Sequence, residues 1–292
     1  MHSILLTGSN GQVGWELQRS LQGLGTVHAP RRDALDLTDP EAIRAAVRAT
    51  RPTLIINPAA YTAVDKAESE PALAEAINAH APAVLAAEAA RLGIPLIHYS
   101  TDYVYAGTGT MPWTEDAPTA PPNVYGATKL AGEEAIRASG CAHLILRTSW
   151  VYGTRGKNFL LTMLRLGRER EALNVVADQI GAPTWSRTIA DLTAHIVASR
   201  PDWPQVSGTY HLANGGETSW HGFAEAIFAL AQQKGQKTPQ TVNPIPTEAY
   251  PTPAARPKNS RLSLDKLNTA FGLVPPHWRD ALAMCFDDLP DA

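Results

Sequence analysis

Only two cysteines, Cys141 and Cys285, occur among the 292 residues. That excludes a disulfide-stapled scaffold and a cysteine-ligated metal centre, and it suits a reducing, cytoplasmic setting. No apolar run approaches the ~18 residues that cross a bilayer, so no membrane partner is expected. Met1 to Leu6 is too short for a signal peptide and lacks its cationic head and cleavage site. Neither charge is in excess: 25 Lys and Arg against 28 Asp and Glu leave −3, with no bias towards nucleic acid. The nine histidines show no H-x-x-x-H or comparable spacing, so no catalytic metal is expected. No internal repeat or low-complexity segment is present. What remains is a chain with 44% apolar residues, long enough for a nucleotide-sized domain and a smaller companion.

The first half alternates short apolar runs with helical patterns. Ile4 to Thr7, Thr26 to Ala29, Thr53 to Asn57, Ile94 to Tyr99 and Leu144 to Thr148 read as buried strands. Helical patterns follow Val13, cover 71–78 and 82–91, and begin again near Asn123. This βαβ rhythm predicts an α/β fold, a Rossmann-type doubly wound parallel sheet whose ligands gather at the carboxyl ends of its strands. After residue 150 the rhythm changes. The expected division is a dinucleotide-binding domain over 1–150, with 186–213 returning to its sheet, and a smaller α/β substrate-binding domain over 151–292.

Three stretches carry chemistry. Gly8-Ser9-Asn10-Gly11-Gln12-Val13-Gly14 lies between a strand and a helix, where small residues let the backbone approach a diphosphate and the helix amino terminus offers free N–H groups. Its G-x-x-G-x-x-G spacing is the variant usual in the short-chain dehydrogenase/reductase superfamily. The second strand ends in Arg31-Arg32 where an acid would bind the ribose hydroxyls of NAD. A guanidinium suits a 2′-phosphate, so NADPH is expected, with NADH also left open and solvated loop charges as the competing reading. Ala59, Ala60, Tyr61 and Thr62 follow the third strand and would let a flat cofactor lie against the backbone.

Tyr125 and Lys129 stand four apart on one predicted helix and share a face. A nearby ammonium favours a phenolate and lowers the phenol pKa, so Tyr125 could serve as general acid or base. Thr101, where the fourth strand hands over to a loop, offers a second hydrogen bond to a substrate oxygen. Alone, a Tyr-x-x-x-Lys pair is common and says little.

Further segments narrow the reading. Trp15-Glu16-Leu17, the run Thr62 to Glu68, Tyr99-Ser100-Thr101-Asp102-Tyr103-Val104, Asn123-Val124-Tyr125-Gly126, the run Arg147 to Tyr152, Asp178-Gln179 with Gly181-Ala182-Pro183-Thr184, and Arg256-Pro257 with Asn259-Ser260-Arg261 together resemble the dTDP-4-dehydrorhamnose reductase family. These are extended short-chain reductases that complete dTDP-L-rhamnose synthesis. The resemblance implies reduction of the C4 ketone of a dTDP-sugar by a nicotinamide cofactor. By position it makes Thr101, Tyr125 and Lys129 catalytic and places Asp36 and Leu37 on the adenine. It puts Asp102, Tyr103 and Trp150 on the sugar, with Arg256 and Arg261 facing the substrate phosphates. Some relatives dimerise through Mg²⁺, with carboxylates at the Glu16 position and just after the Gly-Ala-Pro-Thr stretch. Here Trp185-Ser186-Arg187 supplies no acid, so Mg²⁺ and a metal-bridged homodimer stay open. A sister nucleotide-sugar epimerase or dehydratase, or a non-enzymatic regulatory subunit, would share the fold.

Overall fold

A computed structural model describes residues 2–290. Six strands form the central sheet: β1 (His2–Leu6), β2 (Gly25–His28), β3 (Leu54–Asn57), β4 (Leu96–Thr101), β5 (His143–Thr148) and β6 (Gly208–His211). Their order is β2-β1-β3-β4-β5-β6, with every pairing parallel. Successive residues of a strand face opposite sides, and the sequence uses both. Ile4, Leu6, Leu54, Ile56, Leu144 and Leu146 enter one core, while Leu5, Ile55, Leu96 and Ile145 enter the other. Each such side chain contributes roughly 1.5–3 kcal/mol by burial, which is why the strands read as continuous apolar runs.

Helix α1 (Gln12–Ser20) covers the first core with Leu17, joined by Ile189, Ile196 and Val197 of a later helix. Helix α2 (Pro40–Thr50) covers the second through Ile43 and Val47, with Leu85 and Ala89 of helix α3 (Ala81–Leu92) and Ile136 of helix α4 (Val124–Ala138). A third core belongs to the C-terminal half. There Leu160, Phe223, Ile227, Leu282 and Phe286 pack between helices α5 (Phe159–Glu169), α7 (Trp220–Gln233) and α8 (Trp278–Asp287). Helix α6 (Ser186–Ala198) lies against α1, and β6 completes the first sheet beside β5.

Two local features differ from the sequence reading. The patterns at 71–78 and 82–91 join through a π-helical turn, Ala76–His80, in which the Ala81 N–H reaches the Ala76 carbonyl. Pro82 has no N–H for the Asn78 carbonyl, which relaxes the ordinary ladder there. A strand at Thr241–Ile245 pairs parallel with Ala172–Val176 and had no signal, because Pro244 sits inside it and the two-stranded sheet leaves it an edge. Among the described residues no helix is long and apolar enough to cross a membrane.

Candidate active site

A cleft of about 670 Å³ opens along the carboxyl ends of the strands. The chain after β1 turns one way to β2, and β3 lies on the other side, so a crevice forms there for topological reasons. Thr7 to Val13 floor it. Gly8 turns at φ +58°, and a Cβ there would sit 2.8 Å from the Ala59 backbone; one at Gly14 would strike the Gly8 carbonyl oxygen. Glycine is thus demanded by space and by backbone sign. Helix α1 begins at Gly11 without a side-chain cap and with no acid in its first turn, so its first N–H groups are available to an anion. The Gln12 side chain accepts from Asn158 Nδ2 at 2.8 Å, tying the loop before α5, with Gly156 and Lys157, to this end of the cleft.

Helix α4 brings in the reactive pair. Asn123 caps it, its Oδ1 accepting the Gly126 N–H at 2.8 Å. Gly126 lies so close to the Tyr103 carbonyl that any side chain would collide, and this contact seats Tyr125 against Tyr103 with ring centroids 5.5 Å apart. One turn on, Lys129 is 1% exposed, and its Nζ donates to the Tyr99 carbonyl at 2.6 Å and to His98 Nε2 at 3.1 Å. His98 Nδ1 in turn lies 3.0 Å from the Asn57 side-chain amide, which lies 2.5 Å from Thr7 Oγ1.

The sequence argument expected the lysine to lower the tyrosine pKa, and here burial wins instead. The Tyr125 phenol is pushed up to about 12, with the Thr101 hydroxyl pulling it back and the Asp102 carboxylate adding to the rise. Lys129, spending its protons on Tyr99 and His98, is itself brought down to about 8 by burial, with Glu133 opposing. A phenol held neutral and an ammonium held beside it form a proton donor. Thr101 Oγ1 donates to Asp102 Oδ1 at 3.1 Å, and burial raises the Asp102 carboxyl to about 6. Asp102 Oδ2, Ser100 Oγ and Thr148 Oγ1 are buried at this wall without partners, three polar atoms that a polar ligand would satisfy.

Trp150 lines the cleft with its backbone at φ +50°, a conformation non-glycine residues rarely hold. Its ring stacks on Trp220 at 3.7 Å, and a Cβ on Gly181 would crowd it, so packing holds the strain. The indole is therefore at once a wall of the cleft and part of the seam to α7.

Asn10, Asp36, Leu37, Ala59, Ala60 and Thr62 also reach the cleft. Five other positions stand elsewhere. Tyr61 turns its hydroxyl to Glu70, while its backbone is gripped by Asn78 from the π-helical turn at 2.8 and 3.2 Å. Arg32, rather than Arg31, lines the cleft. Arg256 pairs with Asp65 at 2.7 Å and Arg261 with Glu217 at 2.6 Å, outside the cleft walls. Glu16 is buried against Arg187, whose Nε lies 3.2 Å away and whose Nη1 binds Asp288. A guanidinium already neutralises the carboxylate a divalent cation would need, so this donor set does not fit Mg²⁺. His98, Asn57, Asn78 and Lys157 were not singled out as site residues. Their roles come from partners 17 to 50 residues away or from a loop, and spacing carries no such signal.

Fold and cleft together define a dinucleotide-binding oxidoreductase of the short-chain type. The family "RmlD substrate binding domain" matches residues 1–290, and the chain belongs to it. It is 51% identical to a dTDP-4-dehydrorhamnose reductase of Burkholderia thailandensis over 98% of both chains, and 48% identical to that of Escherichia coli K12, again over 98% of both. A dTDP-4-dehydrorhamnose reductase of Bacillus anthracis, solved in complex with NADP, superposes with TM-score 0.91 at 37% identity over 98% of each chain.

Proposed function

We propose that this chain reduces the C4 ketone of dTDP-4-dehydro-β-L-rhamnose to dTDP-β-L-rhamnose, the last step of dTDP-L-rhamnose synthesis, with NADPH as the preferred cofactor. The observation that carries the reading is that Thr101, Asp102, Tyr125 and Lys129 line one cleft, which begins at an uncapped, acid-free helix terminus. Near-half identity over 98% of the chain to reductases of that name supports the substrate.

In this reading residues 1–150 and 186–213 hold the cofactor, and the rest of 151–292 closes on the sugar. Gly8, Asn10, Gly11, Gln12, Val13 and Gly14 take the diphosphate, Arg32 with Asp36 and Leu37 the adenosine end, and Ala59, Ala60 and Thr62 the middle. When bound, the reduced nicotinamide supplies the hydride that the ketone carbon accepts. Tyr125 donates its phenolic proton to the ketone oxygen, and the Thr101 hydroxyl holds that oxygen in place. Lys129 turns its remaining N–H to the cofactor ribose and stabilises the phenolate left behind. Asp102 Oδ2 accepts a sugar hydroxyl, and Tyr103 and Trp150 flank the ring. Two free buried thiols suit a cytoplasmic enzyme.

The test is oxidation of NADPH by the purified protein with dTDP-4-dehydro-β-L-rhamnose, with Tyr125→Phe alongside. Substrate-dependent turnover in the wild type is expected, with a loss of about 10²–10⁴ in the variant while cofactor binding survives. Cofactor binding without turnover on this sugar would overturn the substrate assignment, and near-native turnover in Tyr125→Phe the acid.

A further inference from the structure

We propose that His98 is a positioning residue for the reduction: its Nε2 holds the Lys129 ammonium at the cleft wall, and its Nδ1 ties that lysine through Asn57 to Thr7 beside the cofactor turn. The inference deepens the proposed function and rests on its role for Lys129.

The chain of contacts crosses three adjacent strands. Asn57 of β3 and His98 of β4 are register partners, and Thr7, just past β1, bonds its backbone N–H to Ile56. Thr7, Asn57, His98 and Lys129 are each at most 1% exposed, so water cannot satisfy any of them. Both ends of the row, Thr7 and Lys129, line the cleft.

Proton accounting fixes the rest. An ammonium only donates, so the His98 Nε2 at 3.1 Å must be the unprotonated nitrogen. In a neutral imidazole the proton then sits on Nδ1, and it needs an acceptor. Among the described residues the one side chain bonded to Nδ1 is the Asn57 amide; the structure places its Nδ2 there and its Oδ1 on Thr7, so the proton accounting requires the amide turned over, with its oxygen facing Nδ1. In that orientation the Asn57 N–H donates to Thr7 Oγ1, in place of the bond from Thr7 Oγ1 to Oδ1 that the structure draws, and Thr7 turns its own proton to the cleft. One lysine N–H remains beyond those given to Tyr99 and His98. The row thus presents one donor at each end and is satisfied throughout its length. An imidazolium would break it, because Nε2 would then donate towards an ammonium. Burial, with Lys129 beside it, holds His98 well below the ordinary histidine range, which keeps the ring neutral.

The groups facing Lys129 are His98 and the Tyr99 carbonyl from β4 and Glu133 from α4 itself, with Tyr125 one turn back on the same helix. Glu133 is already bound by Arg147 from β5 and by Arg137. Removing the His98 acceptor therefore takes stabilisation from the charged lysine that no neighbour replaces, and the alkaline limb of the rate profile, where Lys129 loses its proton, must move to lower pH.

Nitrogen-15 NMR of the histidines in the wild-type protein, without cofactor or substrate, tests the row directly. One imidazole is expected to stay in the Nδ1–H form while exposed histidines titrate, its signal assigned by its loss in His98→Gln. An Nε2–H form, or titration in the ordinary histidine range, overturns the proposal whether or not any variant folds. For function, His98→Leu should weaken NADPH affinity about tenfold, the scale of one lost charge-assisted hydrogen bond, and shift the limb down. His98→Gln, which keeps an acceptor near the Nε2 position, should restore most of both. A folded Leu variant with native affinity and an unmoved limb also overturns it. Since NMR and cofactor binding need no sugar, failure of the substrate assignment would be seen separately.

Discussion

Helix α4 carries two buried charges one turn apart, and the molecule treats them in opposite ways. Glu133 is fully enclosed and is gripped by Arg147 through both carboxylate oxygens, at 2.9 and 2.6 Å, and by Arg137 at 2.5 Å. These partners outweigh burial and hold its carboxyl below the usual range. Lys129 receives only neutral acceptors, Tyr99 and His98, and burial brings it down to about 8. A buried charge with a full set of opposite partners is structure; one with neutral acceptors is held in reserve for a ligand. The same division runs through the other cations. Arg187, Arg256, Lys258 and Arg261 are bound to acids away from the cleft walls. Arg32, Lys129 and Lys157 line the cleft, and among the described residues none of the three has an acid within ion-pair distance.

Exchanging the two fates gives the largest expected effects. Glu133→Gln strips Arg147 of its counter-charge in a site that is 2% exposed, and a loss of about 3–5 kcal/mol in unfolding free energy is expected. Lys129→Met should do the reverse. It removes a buried charge with no ionic partner, so denaturant unfolding should show unchanged or greater stability while turnover falls by about 10² or more. If Lys129→Met proved the more destabilising of the two, the division between structural and reserved charge would fail.

The structural network extends from Arg147 to Tyr105 at 2.6 Å and on to His211, whose Nε2 lies 2.6 Å from the tyrosine hydroxyl. Burial is the main cause that takes His211 down to about 3, far below the ordinary histidine range. In the unfolded chain this ring binds its proton near 6.5, so between pH 6.5 and 3 the unfolded state holds more protons than the folded one. Stability must then rise with pH across that window, and acidification should cost roughly 4–5 kcal/mol by its lower end. Unfolding followed from pH 8 to pH 4 checks the sign. His211→Asn should flatten the slope, and His98 contributes in the same direction. A flat curve would show that the two buried rings do not resist protonation.

How much of this was legible follows from where each signal resides. The strands of the central sheet were readable because alternate residues all enter a core, which leaves continuous apolar runs bounded by glycine and polar turns. Gly8, Gly11 and Gly14, and the pair Tyr125 and Lys129, fall at fixed local spacings, so one strand-turn-helix and one helix face were enough to bring them to notice. Glu133 and Arg147 stand on different elements, and only the pairing of α4 with β5 joins them. His98 reads as one more residue of a buried strand until the sheet sets Asn57 beside it. The family resemblance put Arg256 and Arg261 of the basic loop on the substrate phosphates, but the acids that pair with this loop come from residues 65, 178, 217 and 248, which no local window contains.

The smallest expected effect separates two adjacent arginines that the sequence could not rank. Arg32 lines the cleft beside Asp36, whereas the Arg31 carbonyl closes the turn to Ala34 and Leu35, and its side chain is not among the walls. Both are exposed, so neither contributes much to folding. If reserved cations serve ligands, Arg32→Ala should lower kcat/KM for NADPH about five- to tenfold and leave the value for NADH nearly unchanged. Arg31→Ala should alter both by less than about twofold, the scale of screened surface charge. Steady-state kinetics with the two cofactors, at low and at high salt, read this ratio. Equal losses from the two variants would mean that the 2′-phosphate is met by general positive potential rather than by one guanidinium at the wall. The rule drawn from Lys129 and Glu133 would then hold only inside the protein, where water cannot do the work of a partner.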